Sequence, residues 1–372
     1  MDKESLKFFE ELCNSSGPAG FERETTLLMK SYVQKWADTV YTDRIGSLVF
    51  EKRGNSETPT ILIPGHIDEI GFVITSITDQ GFLTFHQLGG WFDQGLLGQR
   101  VTVMTRKGKL RGVIAIKPPH LMDEEERKKV ITKDKMFIDI GCSNKDEAEE
   151  MGVRIGDAVV PDSTFFTIKK RAFKEGKFIG IKTLAFGKAF DDRVGAFIAA
   201  QVVRTLKEKD IDHPNKVVGA ATVQEEVGLR GARTVANLVK PDVAIVIDVE
   251  ISGDVPGVEP RQAQAKLGEG IAITAYDASM IPNQPLKELA ISICEKNRIP
   301  YQLATTAMGG TDAGAVHISN IGCPSIVVGP PTRHIHSHVG ILDLGDVDHC
   351  IKFVVEMVKV LDKSKVDSLT LI

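Results

Sequence analysis

Apolar and polar positions alternate with two different periods along this chain, and the changes of period divide it. In residues 1–14, Leu6, Phe9 and Leu12 share one helical face. A Gly/Pro turn over residues 15–21 follows, and residues 22–36 read as a second amphipathic helix. Residues 47–50 and 60–64 read as strands. From Gly71 to about Pro161 the texture is β-rich, with short runs at 72–77, 82–86, 100–105 and 112–116 broken by glycines. That rhythm predicts a small β-barrel or sandwich. Within it, the charged stretch 123–135 reads as a solvated helix or loop. From about Phe186 strands and helices alternate. A helix marked by Val194, Phe197, Ile198 and Val202 precedes a strand at 217–223, a helix at 231–240 and a strand at 243–247. Helices at 285–297 and around 312–320, a strand at 325–328 and a closing helix at 343–362 complete the series. The expected fold is α/β, a mixed sheet sandwiched by helices. Residues 1–70 and 165–372 would form that domain, and residues 71–164 an inserted β-rich one.

At 372 residues, two domains are the default. With 46 basic and 50 acidic residues the formal net charge is −4, which gives no electrostatic footprint for nucleic acid. No stretch approaches the roughly 20 apolar residues that span a bilayer, and the N-terminus lacks the features of a secretory signal. Five widely spaced cysteines without a C-x-x-C fit reduced thiols in a cytoplasmic protein.

Candidate chemistry gathers where the apolar runs stop. His66 and Asp68 follow 60–64, Glu225 and Glu226 follow 217–223, and Asp248 closes 243–247. Carboxyl ends of strands in α/β sheets form the ligand crevice, so these residues are expected to converge. Imidazole with carboxylate suits zinc-like or cobalt-like ions better than calcium or magnesium. In an extended segment His66 and Asp68 face the same way, which suits an Asp that orients a ligand imidazole. Asp191 and Asp192 precede a helix, where one carboxylate suffices as a cap and the second is explained by bridging two cations. Adjacent Glu225 and Glu226 repel unless a cation or proton sits between them, which suggests one ligand and one acid/base. Glu250 competes with Asp248 on the same face. His334, His336 and His338 alternate, so all three could share one side of an extended segment, and spacing does not choose among them. Gly309-Gly-Thr-Asp-Ala313 opens a helix but lacks the Lys-Ser/Thr of a phosphate loop. No G-x-S-x-G elbow or H-E-x-x-H is present, which removes serine-hydrolase and zincin readings.

Taken in order, His66-Ile-Asp68-Glu-Ile-Gly71, Phe190-Asp-Asp-Arg193, Gln224-Glu-Glu-Val-Gly228, Ile247-Asp-Val249, Gly309-Gly-Thr-Asp-Ala313 and Arg333-His-Ile-His-Ser337 resemble the tetrahedral aminopeptidases. This is the glutamyl/deblocking family of dinuclear metallopeptidases, some of which have been labelled endoglucanases. The resemblance covers nearly the whole chain. It implies two divalent ions per subunit, zinc or cobalt foremost, with His66 and Asp248 as terminal ligands of one and Glu226 and His336 of the other. Asp191 would bridge them, through a cis peptide to Asp192, and Glu225 would be the general base. Asp68 would support His66. Members often carry an acidic residue shortly after the serine at 337, where this chain has Val339-Gly340. Substrates would be peptides with a free N-terminus, and the assembly a tetrahedral dodecamer built through the inserted domain.

Other readings keep part of the pattern. A glycosidase using Glu225 with a second carboxylate leaves the histidines unexplained, and 4 Tyr and 2 Trp offer few stacking platforms for sugars. An N-acyl amino acid deacylase shares the dinuclear chemistry. A catalytically dead scaffold would be expected to have lost ligands, and none is missing.

Overall fold

The computed structural model describes residues 1–174 and 176–370. Helices α1 (Lys3–Asn14) and α2 (Arg23–Val33) lead into strands β1 (Thr39–Thr42), β2 (Leu48–Arg53) and β3 (Thr60–His66). Six strands follow: β4 (Gly71–Ile77), β5 (Leu83–Leu88), β6 (Arg100–Thr105), β7 (Gly108–Ala115), β8 (Phe137–Asp139) and β9 (Ala158–Pro161). They close into a barrel in the order β4-β5-β8-β7-β6-β9, with short helices α3 (Glu124–Lys128) and α4 (Lys145–Glu150) between strands. The hairpin β10 (Phe166–Lys174) and β11 (Lys177–Gly187) returns the chain to helix α5 (Phe190–Glu208). Then come β12 (Lys216–Thr222), α6 (Arg230–Val239), β13 (Val243–Ile247), β14 (Glu250–Ile251), β15 (Ile271–Tyr276), α7 (Gln284–Asn297) and β16 (Tyr301–Thr305). The chain ends through α8 (Ala313–Val316), β17 (Ser325–Gly329), β18 (Pro331–Arg333), β19 (Gly340–Asp343), α9 (Leu344–Val360) and α10 (Lys363–Asp367).

The main sheet has eight strands in the order β1-β2-β12-β3-β13-β17-β15-β16. Its centre, β12-β3-β13-β17, is parallel throughout. These four strands are rich in Val, Ile and Ala and are buried almost end to end, as parallel strands covered on both faces must be. One apolar cluster joins the sheet to α1, α2, α5, α7 and α9, and another joins it to α6 and α8. The protein is therefore an α/β sandwich carrying an inserted β-barrel, whose own core includes Phe72, Ile74, Val101 and Ile138. No described helix is long and apolar enough to cross a membrane.

Several elements depart from the sequence reading. A second, five-stranded sheet, β10-β11-β19-β18-β14, stands beside the first. Its hairpin strands alternate lysine and arginine with exposed Ile168, Phe173, Phe178 and Ile181, so no buried face announces them. β15 and β16 were not expected either; both are short, and their Ala and Thr residues break up any long apolar run. The helix expected around 312–320 is a single turn, Ala313–Val316, after which the chain continues in turns. The charged stretch 123–135 contains the short exposed helix α3, held by a capping box from Asp123 to Glu126.

A single close approach sets how α5 lies on the main sheet. Gly65, on β3, lies directly under α5, and a Cβ there would fall on the backbone of Gly195 and Ala196. Gly65→Ala is expected to force α5 off the sheet and cost about 1–3 kcal/mol, read as a lowered midpoint in urea unfolding.

Candidate metal centre

The parallel strands β3, β12, β13 and β17 deliver His66, the turn after Thr222, Asp248 and the 330s segment to one edge, with Thr222 in register beside His66. α5 brings its first turn to the same edge. There the Asp191–Asp192 peptide is cis, and both residues have non-helical backbone. Asp192 is the cap: Oδ1 accepts the Gly195 N–H at 3.0 Å and Oδ2 accepts the His66 N–H at 3.2 Å. Its neighbour Asp191 turns the other way, into the crevice.

His66 Nε2 lies 3.0 Å from Asp191 Oδ1, and His336 Nε2 lies 3.3 Å from Asp191 Oδ2 and 3.5 Å from Glu226 Oε2. Donor atoms of His66, Asp191 and Glu226 fall within 4.8 Å of one another, and so do those of His66, Asp192 and Asp248. Glu225 Oε2 is 3.7 Å from His66 Nε2. All five expected ligands and Glu225 line one open cavity of about 650 Å³.

The electrostatics of this cluster are unbalanced. Burial, aided by Asp191, pushes Glu226 up to about 8. Burial likewise raises Asp248, with Asp191 adding to it, and Glu225, with Asp312 and Asp248 adding to it. Asp191 alone stays low despite burial, because His336 and His66 hydrogen-bond to it. The carboxylates in turn overcome desolvation to raise His66, and they raise His336 to about 9. Glu226 Oε1 is buried without a hydrogen-bond partner. An orphaned oxygen among crowded carboxylates and imidazoles fits divalent cations with mixed N/O ligands.

Asp68 works differently from the simple H-x-D picture. The closest partner of His66 Nδ1 is the Asp68 carbonyl oxygen at 3.1 Å, with the carboxylate at 3.6 Å. The Asp68 carboxylate accepts the N–H groups of Glu225 and Glu226 at 3.0 and 3.1 Å. Glu22 accepts the preceding N–H, of Gln224, at 3.0 Å. Three successive amides of the glutamate turn are thus fixed by two buried acids. The three histidines do not share a side. His334 and His336 have φ of 59° and 53°, so the segment is kinked instead of extended. His336 alone reaches the cluster. His338 packs on Trp91, with ring centroids 5.2 Å apart, and burial lowers it to about 4.

A crevice at the carboxyl edge of a parallel sheet, lined by imidazoles and carboxylates, is the construction of a hydrolase that works with bound cations. Comparison with known proteins gives the family. The model of the M42 glutamyl aminopeptidases matches residues 46–353. A TET aminopeptidase from the marine sediment archaeon Thaumarchaeota archaeon SCGC AB-539-E09 is 49% identical, with a TM-score of 0.93 over 99% of both chains. The TET1 peptidase of Pyrococcus horikoshii, which can assemble into a tetrahedron or a large octahedral shell, is 33% identical over 96% of this chain and 100% of its own, with a TM-score of 0.81. The glutamyl aminopeptidase of Lactococcus lactis subsp. cremoris (strain MG1363) is 30% identical over 94% of each chain. The chain belongs to the M42 glutamyl aminopeptidase family and is a peptidase.

Sequence reasoning missed the supports beneath the site. Glu69 is buried between Lys188 Nζ, at 2.6 Å, and Arg193 Nη2, at 2.9 Å. Arg193, fully buried, also donates to the carbonyls of Ile67, Leu12 and Ser15. This knot ties the end of α1, the loop after β3 and the start of α5 together beside Asp191. Asp312 is missed as well. It accepts the Thr222 hydroxyl, and burial lifts it to about 6. Only the charged residues within Lys188-Ala-Phe-Asp-Asp-Arg193 hinted at the knot. Glu69→Gln would leave two cations buried with little compensation and is expected to cost about 3–5 kcal/mol, measured by denaturant unfolding against Glu24→Gln, whose partner Lys109 is solvent-exposed.

Proposed function

We propose that this peptidase is a dinuclear metal-dependent aminopeptidase that releases N-terminal amino acids, with Glu225 as general base. In this reading His66 and Asp248 would hold one ion, Glu226 and His336 the other, and Asp191 would serve both. The ions, zinc or cobalt, would polarise the scissile carbonyl and make the attacking water more acidic. Glu225 takes the water proton and returns it to the departing amine. Asp68 holds Glu225 and Glu226 in register through their amides, so that ligand and base keep fixed relative positions.

The observation that carries the reading is the division of the glutamate pair. Glu226 sits with Asp191 and His336, whereas Glu225 lines the cavity outside both potential ligand groups. Chelation is expected to abolish hydrolysis of aminoacyl anilides and added zinc or cobalt to restore it, with about two ions per subunit by mass spectrometry. Glu225→Gln should retain both ions and lose about 10²–10⁴-fold in kcat. Near-normal turnover in that variant would remove Glu225 from the role. N-acetylated amino-acid anilides should be inert, and their cleavage would favour a deacylase.

For the assembly, the reading is a tetrahedral dodecamer joined in part through the barrel, where Phe92, Leu121 and Val130 are exposed. The five free cysteines, four of them buried, suit a cytoplasmic enzyme. Light scattering of the purified protein should give the mass of twelve subunits, and a monomer would refute the assembly.

A further inference from the structure

Beyond the cluster, the cavity continues along a wall that hydrolysis itself does not use. Glu250 stands there, two residues past Asp248, and Asp277 lies beside it. The N–H groups of Asp248 and Glu250 pair with the carbonyls of Val328 and Pro330, so the backbone between the two acids is extended. At about 3.3 Å per residue, the two side chains leave the backbone roughly 6–7 Å apart on one face.

Both acids are buried, and their partners are neutral. Glu250 Oε1 accepts the Thr306 hydroxyl at 2.8 Å and the Ile251 N–H at 3.0 Å, while Oε2 accepts only the Thr274 hydroxyl, at 3.1 Å. Asp277 Oδ1 accepts two N–H groups and the Ser279 hydroxyl, and Oδ2 has only the Thr311 hydroxyl at 3.4 Å. A carboxylate oxygen can accept two hydrogen bonds, so Glu250 Oε2 and Asp277 Oδ2 each keep an acceptor position. No lysine or arginine lines the cavity among the described residues. Ile251, Met308 and Ile335 supply apolar surface to the same cavity.

Apolar walls ending in unpaired carboxylates match the long apolar stem and cationic head of a basic side chain. We propose that the cavity selects peptides whose N-terminal residue is lysine or arginine, with Glu250 as the specificity-determining residue and Asp277 as its companion; this rests on the aminopeptidase reading. A lysyl residue placed with its α-amine beside Asp248 would run its four-carbon stem along this wall toward the Glu250 carboxylate. A leucyl side chain leaves both acids without a cation, and a glutamyl side chain meets them as like charges.

The test is a panel of lysyl, arginyl, leucyl and glutamyl anilides on the full-length, metal-loaded protein. Lysyl and arginyl substrates should lead in kcat/KM by roughly tenfold or more, with glutamyl last. Glu250→Gln, which preserves shape, should lower the lysyl-to-leucyl ratio of kcat/KM by roughly tenfold or more, and Asp277→Asn should lower it less. A wild-type preference for leucyl or glutamyl substrate overturns the proposal, and so does an unmoved ratio in both variants. The wild-type panel decides even if a variant does not fold. Cleavage of the leucyl or glutamyl anilide without favour for lysine sinks the selectivity and leaves the aminopeptidase reading standing. If none of the four is cleaved, that reading falls and takes the selectivity with it.

Discussion

Like charges brought together out of water repel strongly, and this crevice holds Asp191, Asp192, Glu225, Glu226 and Asp248 around two imidazoles. Left to itself, such a cluster relaxes by taking up protons, which is the direction in which Glu226, Glu225 and Asp248 move. Divalent cations resolve the same conflict without protons, and they convert a destabilising arrangement into a binding site. The fold must therefore hold the carboxylates in place against their own repulsion. That requirement is met by a frame of buried strands and buried, hydrogen-bonded acids around the crevice.

Rigidity comes from two sources. The first is the parallel core, whose strands end together and place each functional residue at a fixed height. The second is a set of buried acids that fasten backbone amides and buried cations around the crevice. Glu69 fastens Lys188 and Arg193, while Asp68 and Glu22 hold the amides of the glutamate turn. Glu69 and Asp68 each accept hydrogen bonds at both carboxylate oxygens, in contrast to the orphaned Oε1 of Glu226.

Legibility in the sequence follows the same division. The candidate ligands were visible because β3, β12 and β13 are apolar runs that stop abruptly at acids and imidazoles, a local signal. His336 was not separable from His334 and His338 by spacing, because two left-handed residues break the alternation on which spacing arguments depend. Glu69 and Lys188 lie 119 positions apart, and nothing local in either segment marks them as partners. The barrel's glycine-punctuated rhythm announced itself, whereas the β10–β11 hairpin did not, since its strands bury little. Sequence patterns report burial and chain geometry well, and they report long-range polar pairing poorly.

Asp248 and Glu250 illustrate the point at its sharpest. Both follow one apolar strand, both face the same way, and the sequence offered them as rivals for one role. In the structure they are successive positions on one extended segment. Asp248 falls within reach of His66, whereas Glu250 is surrounded by threonine hydroxyls and a backbone amide farther along the wall. A strand period of two residues keeps both acids on the cavity side, and the rise per residue separates them by about the length of a side chain. One element can thus present two acids to different stretches of one cavity, with their spacing set by backbone geometry alone.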